Sequence, residues 1–337
     1  MTAETAIVVT SINRPNAVME ELARGALDAG MSFIVIGDTK SPLDFHLDGS
    51  VFYDVDAQRA SGFALAVACP TRHYSRKNIG YLQAIRDGAN LIIETDDDNH
   101  PRPAFFSRRN RRVISARVSQ RGWANVYSYF TASLIWPRGL PLDAIHNRLP
   151  AYEDLALIEH DCPIQQGLAD ENPDVDAIYR LVLPLPQCFR NDRRVALARG
   201  VLCPFNSQNT SWWRDAFSLL FLPSHCSFRM TDIWRSLVAQ RIGWENEWAV
   251  LFHGPTVWQE RNKHDLMRDF NDEIPGYTHN RRIADALDAL RLAPGRDNIP
   301  DNLHRCYRAL IALGVIASDE IGLLEAWLGD LTKLRVI

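Results

Sequence analysis

Apolar and polar positions fall in blocks over the first hundred residues, and the blocks have the lengths of strands and helices. Residues 6–10 (AIVVT) are a β-branched run that stops in the turn-like SINRPN. Over 16–29, Val18, Met19, Leu22, Ala26 and Leu27 recur at helical spacing. Residues 32–38 (SFIVIGD) are a second apolar run, ending on Gly37 and Asp38. Strand, helix and strand at this spacing predict a βαβ unit, and near-continuous apolar strands predict a parallel sheet covered on both faces. A helix is expected across 58–68 and another across 75–89, with Ser75 as N-cap, Ile79, Leu82 and Ile85 as its stripe, and Gly88 as C-cap. The next strand, LIIETDDD at 91–98, runs from an apolar block straight into three aspartates.

Beyond residue 100 the pattern loosens. Residues 101–149 are rich in Arg, aromatic residues, Pro and Gly, which predicts loops with short strands. The segment 173–185 (PDVDAIYRLVLPL) contains a strand candidate, 230–243 reads as a helix, and WAVLFHG at 248–254 reads as a strand ending in His253. Helices are expected over 281–292, 302–313 and 319–334.

Composition narrows the class. With 337 residues, 46% of them hydrophobic, the chain can bury one large core or a core plus an appendage. A net charge of −4 and pI near 6.2 argue against a general nucleic-acid binder. The six cysteines are scattered with no C-x-x-C pair, which supports neither a zinc site nor a disulfide framework and fits a reducing compartment. No apolar stretch approaches the roughly 20 residues that span a bilayer, and MTAETAIVVTS lacks the basic start and apolar core of a signal peptide. These features predict a cytoplasmic protein without a transmembrane segment.

The candidate chemistry centres on Asp96, Asp97 and Asp98. Like charges at a strand tip must be solvated or neutralised. The carboxyl end of a strand in an open α/β sheet is also where ligands of such folds bind. The plain reading is an acidic loop; the functional one is a D-x-D site for Mg²⁺ or Mn²⁺ shared with substrate phosphates. Arg76, Lys77 and Asn78 open a helix and so form a candidate anion site. Asp38, and the turn with Thr10, Asn13 and Arg14, are candidates for a nucleoside pocket. Neither G-x-G-x-x-G nor a P-loop is present, so an NAD site and a Walker ATPase are both unsupported. Arg102, Arg108, Arg109, Arg111 and Arg112 read either as a solvated run or as a lid for an anionic acceptor, and leave peripheral contact with an inner membrane open. Asp232 is either a helix-start carboxylate or a general base. His253 is either a turn residue or a metal ligand.

Seven segments, in colinear order, resemble the STELLO family of glycosyltransferase-like proteins. They are FIVIGDTKSP (33–42), SRKNIGYLQAI (75–85), ETDDDN (94–99), WPRGLPL (136–142), IQQGLADENPDVDAIYRL (164–181), PFNSQNT (204–210) and SFRMTDIWRSLVAQR (227–241). The family is also distantly similar to the reversibly glycosylated polypeptides, which are nucleotide-sugar mutases with a comparable DDD. The resemblance implies a GT-A-like α/β fold: a Rossmann-like, mainly parallel central sheet flanked by helices over 1–275, then a helical extension over 276–337. It implies Asp96 and Asp98 as D-x-D ligands with Asp97 between them, and Asp38 and Lys77 facing the nucleotide. By analogy with wider GT-A enzymes it implies Asp232 as base and His253 as late metal ligand. Asp174, Asp176, Asn206, Gln208 and Asn209 would line the donor or acceptor cleft. The implied activity is metal-dependent transfer from a nucleoside-diphosphate sugar, UDP-linked rather than GDP-linked, to a glycan or lipid-linked acceptor, with inversion because one base and direct attack are invoked. The alternatives are a nucleotide-sugar mutase and a non-catalytic scaffold for polysaccharide synthesis. The Arg-rich 102–121 segment and the 276–337 tail lie outside the resemblance.

Overall fold

The structure, a computed structural model, describes residues 3–260 and 265–337. The first half runs β1 (Thr5–Thr10), α1 (Ala17–Asp28), β2 (Ser32–Ile36), β3 (Val51–Tyr53), α2 (Val55–Ala60), α3 (Ala64–Ala68), α4 (Lys77–Arg86), β4 (Leu91–Thr95), β5 (Asn99–Pro101), β6 (Arg112–Val118) and β7 (Gly122–Trp123). The second half runs β8 (Leu157–Asp161), β9 (Ile164–Asp170), α5 (Ala177–Val182), β10 (Arg194–Leu197), β11 (Val201–Leu202), β12 (Asn209–Trp213), α6 (Thr231–Gly243), β13 (Val250–Gln259), α7 (Leu266–Asp288), α8 (Ile299–Ala312) and α9 (Glu320–Lys333).

Ten strands lie in the order β3-β2-β1-β4-β12-β9-β13-β10-β6-β8, with β5 paired to the end of β13. The four strands β3-β2-β1-β4 are parallel throughout. Past β4 the pairing is mixed: β12 is antiparallel to both neighbours, whereas β9 and β13 are parallel. The α/β class and the Rossmann-like half are as expected, and the parallel pairing is concentrated in that half.

Alternation along the parallel strands explains why both faces are covered. Ile7, Val9, Phe33, Val35 and Ile93 pack with Val18, Met19 and Leu22 of α1. Ala6, Val8, Ile34, Ile36 and Ile92 face the opposite core with α4, α6, α8 and α9. Gly80 lets α4 lie close under β1 and β2, since a Cβ there would sit 2.6 Å from Val8 Cγ1 and 2.8 Å from Ile36 Cγ1.

Several local expectations give way to packing. The helix expected over 58–68 is two short ones, divided at Gly62, whose φ is +82°. Ser75 does not cap α4; its hydroxyl is taken up by Ser224 and His73, and the helix starts at Lys77. Gly88, at φ +92°, follows the last turn as expected. The strand candidate in 173–185 is the helix α5, because the Asp176 carboxylate caps it through Tyr179 N at 2.8 Å. β13 does not stop at His253. It continues to Gln259 across an irregularity between His253 and Val257 that absorbs Gly254 and Pro255.

The C-terminal helices are integral to the core. α7 begins at Leu266 and runs through Pro275 and Gly276, so the boundary drawn after 275 falls inside a helix. Gly276 is needed there because a Cβ would come 2.4 Å from Met230 Sδ. Trp327, Leu324 and Leu331 share the main core with the sheet. Two buried carboxylates of α9 fasten earlier loops: Asp330 accepts from Ala64 N and Leu65 N, and Glu320 accepts from Ser224 N and His225 N.

Candidate nucleotide and cation site

Chain order in the parallel half creates the site. From β1 the chain moves outward to β2 and β3, then returns to the other side of β1 as β4, so the strand order reverses at β1–β4. Ligands of open α/β sheets bind in the crevice at that reversal, beyond the carboxyl ends of the strands. A cleft of about 380 Å³ lies there. Its walls include Thr10 to Asn13 after β1, Gly37 and Asp38 after β2, and Asp96, Asp97 and Asp98 after β4.

The three aspartates are held in three different ways. Asp96 Oδ1 accepts from Tyr74 Oη at 2.8 Å and from Lys77 Nζ at 3.1 Å. Burial pushes its carboxyl pKa up, while Lys77 and Tyr74 pull it down. Asp97 turns to the β1 side, where Oδ2 accepts from Ser11 Oγ at 2.5 Å and Asn13 Nδ2 at 3.0 Å. Its carbonyl accepts from Asn16 Nδ2, the side chain that also caps α1. Asp98 accepts from Gln259 Nε2 at 3.0 and 3.1 Å. The answer to like-charge crowding is therefore separate donors for each carboxylate, supplied by α4, the β1 turn and the end of β13.

Opposite the triplet stands a buried ionic group. Arg138 donates to Asp174 through Nε and Nη2, both at 2.8 Å, and to Asp232 through Nη1 at 3.1 Å and Nη2 at 2.9 Å. Burial works against its charge, but the two carboxylates outweigh that and hold its pKa well above the usual arginine value. Ser207 joins the two sides: its Oγ lies 2.7 Å from Tyr74 Oη and donates to Asp232 Oδ2 at 3.3 Å. A continuous polar chain thus runs Asp96–Tyr74–Ser207–Asp232.

The structure sorts the candidates. Thr10, Asn13, Asp38, Arg76, Asp96, Asp97, Asp98, Asp174, Asn206, Gln208 and Asp232 line one cleft. Arg14 does not; it is largely exposed and paired with Asp44 at 3.0 Å. Lys77 is buried beneath Asp96 and also donates to Thr95 O, so it reaches the cleft only through Asp96 and Tyr74. Asn78 exchanges two hydrogen bonds with Leu222, which braces α4 rather than facing a ligand. Asp176 accepts from Trp136 Nε1 and caps α5, and Asn209 bonds Leu168 O and Thr256 inside the sheet. Neither borders the cleft.

His253 lies away from the triplet. It pairs with Arg194 and Gly167 in mid-sheet, six residues and on the order of 20 Å of strand from the Gln259 that reaches Asp98. Burial pushes its pKa down to about 4, and its Nδ1 lies 2.9 Å from Gly254 O. Pro255 made this strand look finished at His253, so Gln259 gave no sequence signal. Arg138 and Ser207 lie in WPRGLPL and PFNSQNT, but isolated polar residues there carry no mark of their pairing.

Asp232 is in the cleft, yet its lone pairs are committed. Besides Arg138 and Ser207 Oγ, it accepts from Ser207 N at 3.2 Å and Ile233 N at 3.0 Å. A carboxylate has about four lone-pair sites, and these contacts fill them.

The donor set fits a hard divalent cation shared with a phosphate. Asp96 Oδ2 accepts from no described residue, and Asp98 stands two positions on in the same wall. Among the described residues no group of three or more His, Cys, Asp and Glu is placed to hold a metal by itself. One or two carboxylates with substrate oxygens completing the shell is the usual Mg²⁺ arrangement. No described helix is long and apolar enough to cross a membrane.

The family model "STELLO glycosyltransferases" matches residues 229–337. "Probable glycosyltransferase STELLO2" of Arabidopsis thaliana is 28% identical over 355 residues, covering 96% of this chain and 44% of that protein. "Probable glycosyltransferase STELLO1" of the same plant is 29% identical over 272 residues, covering 74% of this chain and 35% of that protein. The chain thus spans less than half the length of these relatives. Among solved structures, glucosyl-3-phosphoglycerate synthase from Mycobacterium tuberculosis in complex with Mn²⁺, UDP and glucosyl-3-phosphoglycerate aligns with a TM-score of 0.40 and 11% identity, over 90% of this chain and 80% of that one. The similarity to STELLO2 extends over 96% of the chain, and the family model takes in the 276–337 tail that the seven segments leave outside the resemblance, so the chain is similar to the STELLO glycosyltransferases well beyond those segments.

Proposed function

We propose that the chain is a metal-dependent glycosyltransferase that takes a nucleoside-diphosphate sugar, UDP-linked, as donor. The observation that carries this reading is the placement of Asp96, Asp98 and Asp38 around one crevice at the strand-order reversal. Asp38, Asn13 and the Gly37 backbone hold the nucleoside end. Asp96 and Asp98 hold Mg²⁺ or Mn²⁺, which when bound neutralises the departing diphosphate. Lys77 and Tyr74 fix Asp96 for that task. Lys40, Arg72 and Arg229, also in the cleft wall, add positive charge for phosphate.

On the far side, Asp174, Arg138 and Asp232 border the space left for an acceptor hydroxyl of a glycan or lipid-linked sugar. With its oxygens occupied, Asp232 acts in this proposal as the fixed anion that orients Arg138. A carboxylate so occupied does not take the acceptor proton, so the inversion expected from Asp232 as a single base does not follow from this site.

Calorimetric titration with UDP, GDP, CDP and CMP, in Mn²⁺ or EDTA, tests the donor class on the wild type and Asp98→Ala. Tight UDP binding that requires Mn²⁺ and is lost in Asp98→Ala is expected. A folded protein that binds none of the four would sink the transferase reading and favour a scaffold. Incubating the matching nucleotide sugar with and without acceptors then separates transfer from isomerisation, because a mutase needs no acceptor.

A further inference from the structure

Gln259 is a buried amide with one end in use. It ends β13, pairs with Asn99 of β5, and is 7% exposed. Its Nε2 donates to both oxygens of Asp98, at 3.0 and 3.1 Å, and it borders the cleft. Its Oε1 is buried without a hydrogen-bond partner among the described residues. A buried acceptor with no donor is costly and calls for a specific explanation.

The backbone gives this side chain little freedom. Neighbouring Trp258 pairs with His100 on one side and Asp170 on the other. Asn172 Nδ2 donates to Gln259 O at 3.0 Å, and Glu260 N donates to Asp98 O at 3.2 Å. The backbone on both sides of Gln259 is therefore fixed next to Asp98, and the side-chain amide itself is held by its two contacts with that carboxylate.

We infer that Gln259 completes the cation site of Asp96 and Asp98, with Oε1 facing a divalent cation directly or through one cation-bound water. A side-chain carbonyl oxygen is a ligand type that hard cations accept, and a bound water would supply the donor that Oε1 lacks. Nε2 meanwhile orients Asp98, as an outer partner orients a metal-binding carboxylate. The inference rests on the metal-dependent reading above, and gives β13 the place in the site that His253 was expected to hold.

Mn²⁺ binding is followed by the loss of the free-ion electron paramagnetic resonance signal, with and without UDP, on the wild type, Gln259→Leu, Gln259→Glu and Asp96→Asn. Gln259→Leu keeps the volume and removes both polar atoms. Its Kd for Mn²⁺ is expected to rise about 10- to 100-fold, the range for loss of an orienting partner. Gln259→Glu sets a third carboxylate beside Asp98. It is expected to melt below the wild type in EDTA and to gain more in Tm from Mn²⁺ than the wild type does. Wild-type Mn²⁺ affinity in Gln259→Leu, or a wild-type response of Gln259→Glu to Mn²⁺, overturns the inference. If the wild type binds no Mn²⁺ in either condition, the metal-dependent reading fails and takes this inference with it. Loss in Asp96→Asn with no change in Gln259→Leu removes Gln259 alone.

Discussion

Helix α6 presents two charged residues three positions apart, and each enters a buried ion pair of a different kind. Arg235 donates to Glu94 through Nη1 at 2.9 Å and Nη2 at 2.7 Å, and Tyr81 and Trp212 donate to the same carboxylate. Both members are sealed from solvent and lie outside the cleft. Asp232, one turn earlier, shares Arg138 with Asp174, and that group lines the cleft. The ingredients match: a planar guanidinium on carboxylate oxygens, reinforced by neutral donors. They differ in access. In the sealed pair every partner is fixed by the fold, whereas a pair beside an open volume can exchange a partner for a ligand. A charged cluster earns a functional reading from the space it borders rather than from the strength of its pairing.

Breaking the sealed pair should give the largest stability effect. Arg235→Met leaves Glu94 buried without its cation and should cost about 3–5 kcal/mol in urea unfolding at pH 7, with most of that recovered in Glu94→Gln/Arg235→Met. A loss below about 1 kcal/mol in the single variant would mean that the pair does not hold the helix to the sheet.

Arg138→Met should reverse the balance. Asp174 and Asp232 keep slight solvent access, so its stability loss should be smaller than that of Arg235→Met. Transfer, followed as sugar incorporated into acceptor, should fall by about 100-fold, or roughly 2.7 kcal/mol in the barrier. Equal turnover in the two variants would erase the distinction.

Asp176 supplies the intermediate case, a buried carboxylate without a cation at hydrogen-bond distance among the described residues. Burial pushes its pKa up to about 6, against the Tyr179 N and Trp136 hydrogen bonds. The folded state therefore holds the proton more firmly than the unfolded state, whose carboxyl titrates near pH 3.9. The resulting stabilisation is present below about pH 4 and is lost as pH rises to about 6. Asp176→Asn should remove that decline, so that its stability relative to wild type improves by the order of 2 kcal/mol between pH 4 and 7. A pH-independent difference would contradict the buried, cation-free placement. The smallest effect belongs to the exposed Arg14–Asp44 pair: Arg14→Ala should change stability by less than about 0.5 kcal/mol and leave nucleotide affinity unchanged.

The parallel half was readable because periodicity and position coincide there. Apolar runs at 6–10, 32–36 and 91–95 are the strands, Asn16 caps the helix between the first two, and the residues that follow the strands meet in the cleft. The other half was less readable because its punctuation misleads. Gly254 and Pro255 sit within β13, and Pro275 and Gly276 within α7, where tertiary contacts override residues that usually end an element. The same override hid part of the site. Gln259 became visible only when β13 proved long enough to carry it to Asp98. Lys77 and Asn78 look like cleft residues from their place at the start of α4, yet Gly80 draws that helix so close to the sheet that both point into protein.

The grip of Asp330 on Ala64 and Leu65 has a consequence for biosynthesis. These bonds close loops of 266 and 265 residues, between an N-terminal segment and α9, the last described helix. A ribosome delivers the early strands long before residue 330 is made. Until then α3 lacks the carboxylate that holds its first turn, and the core face shared with α9 lies open. The nascent chain therefore passes through an interval in which the nucleotide half is present but unfinished, and a chaperone that shields that apolar face would find its substrate in this interval.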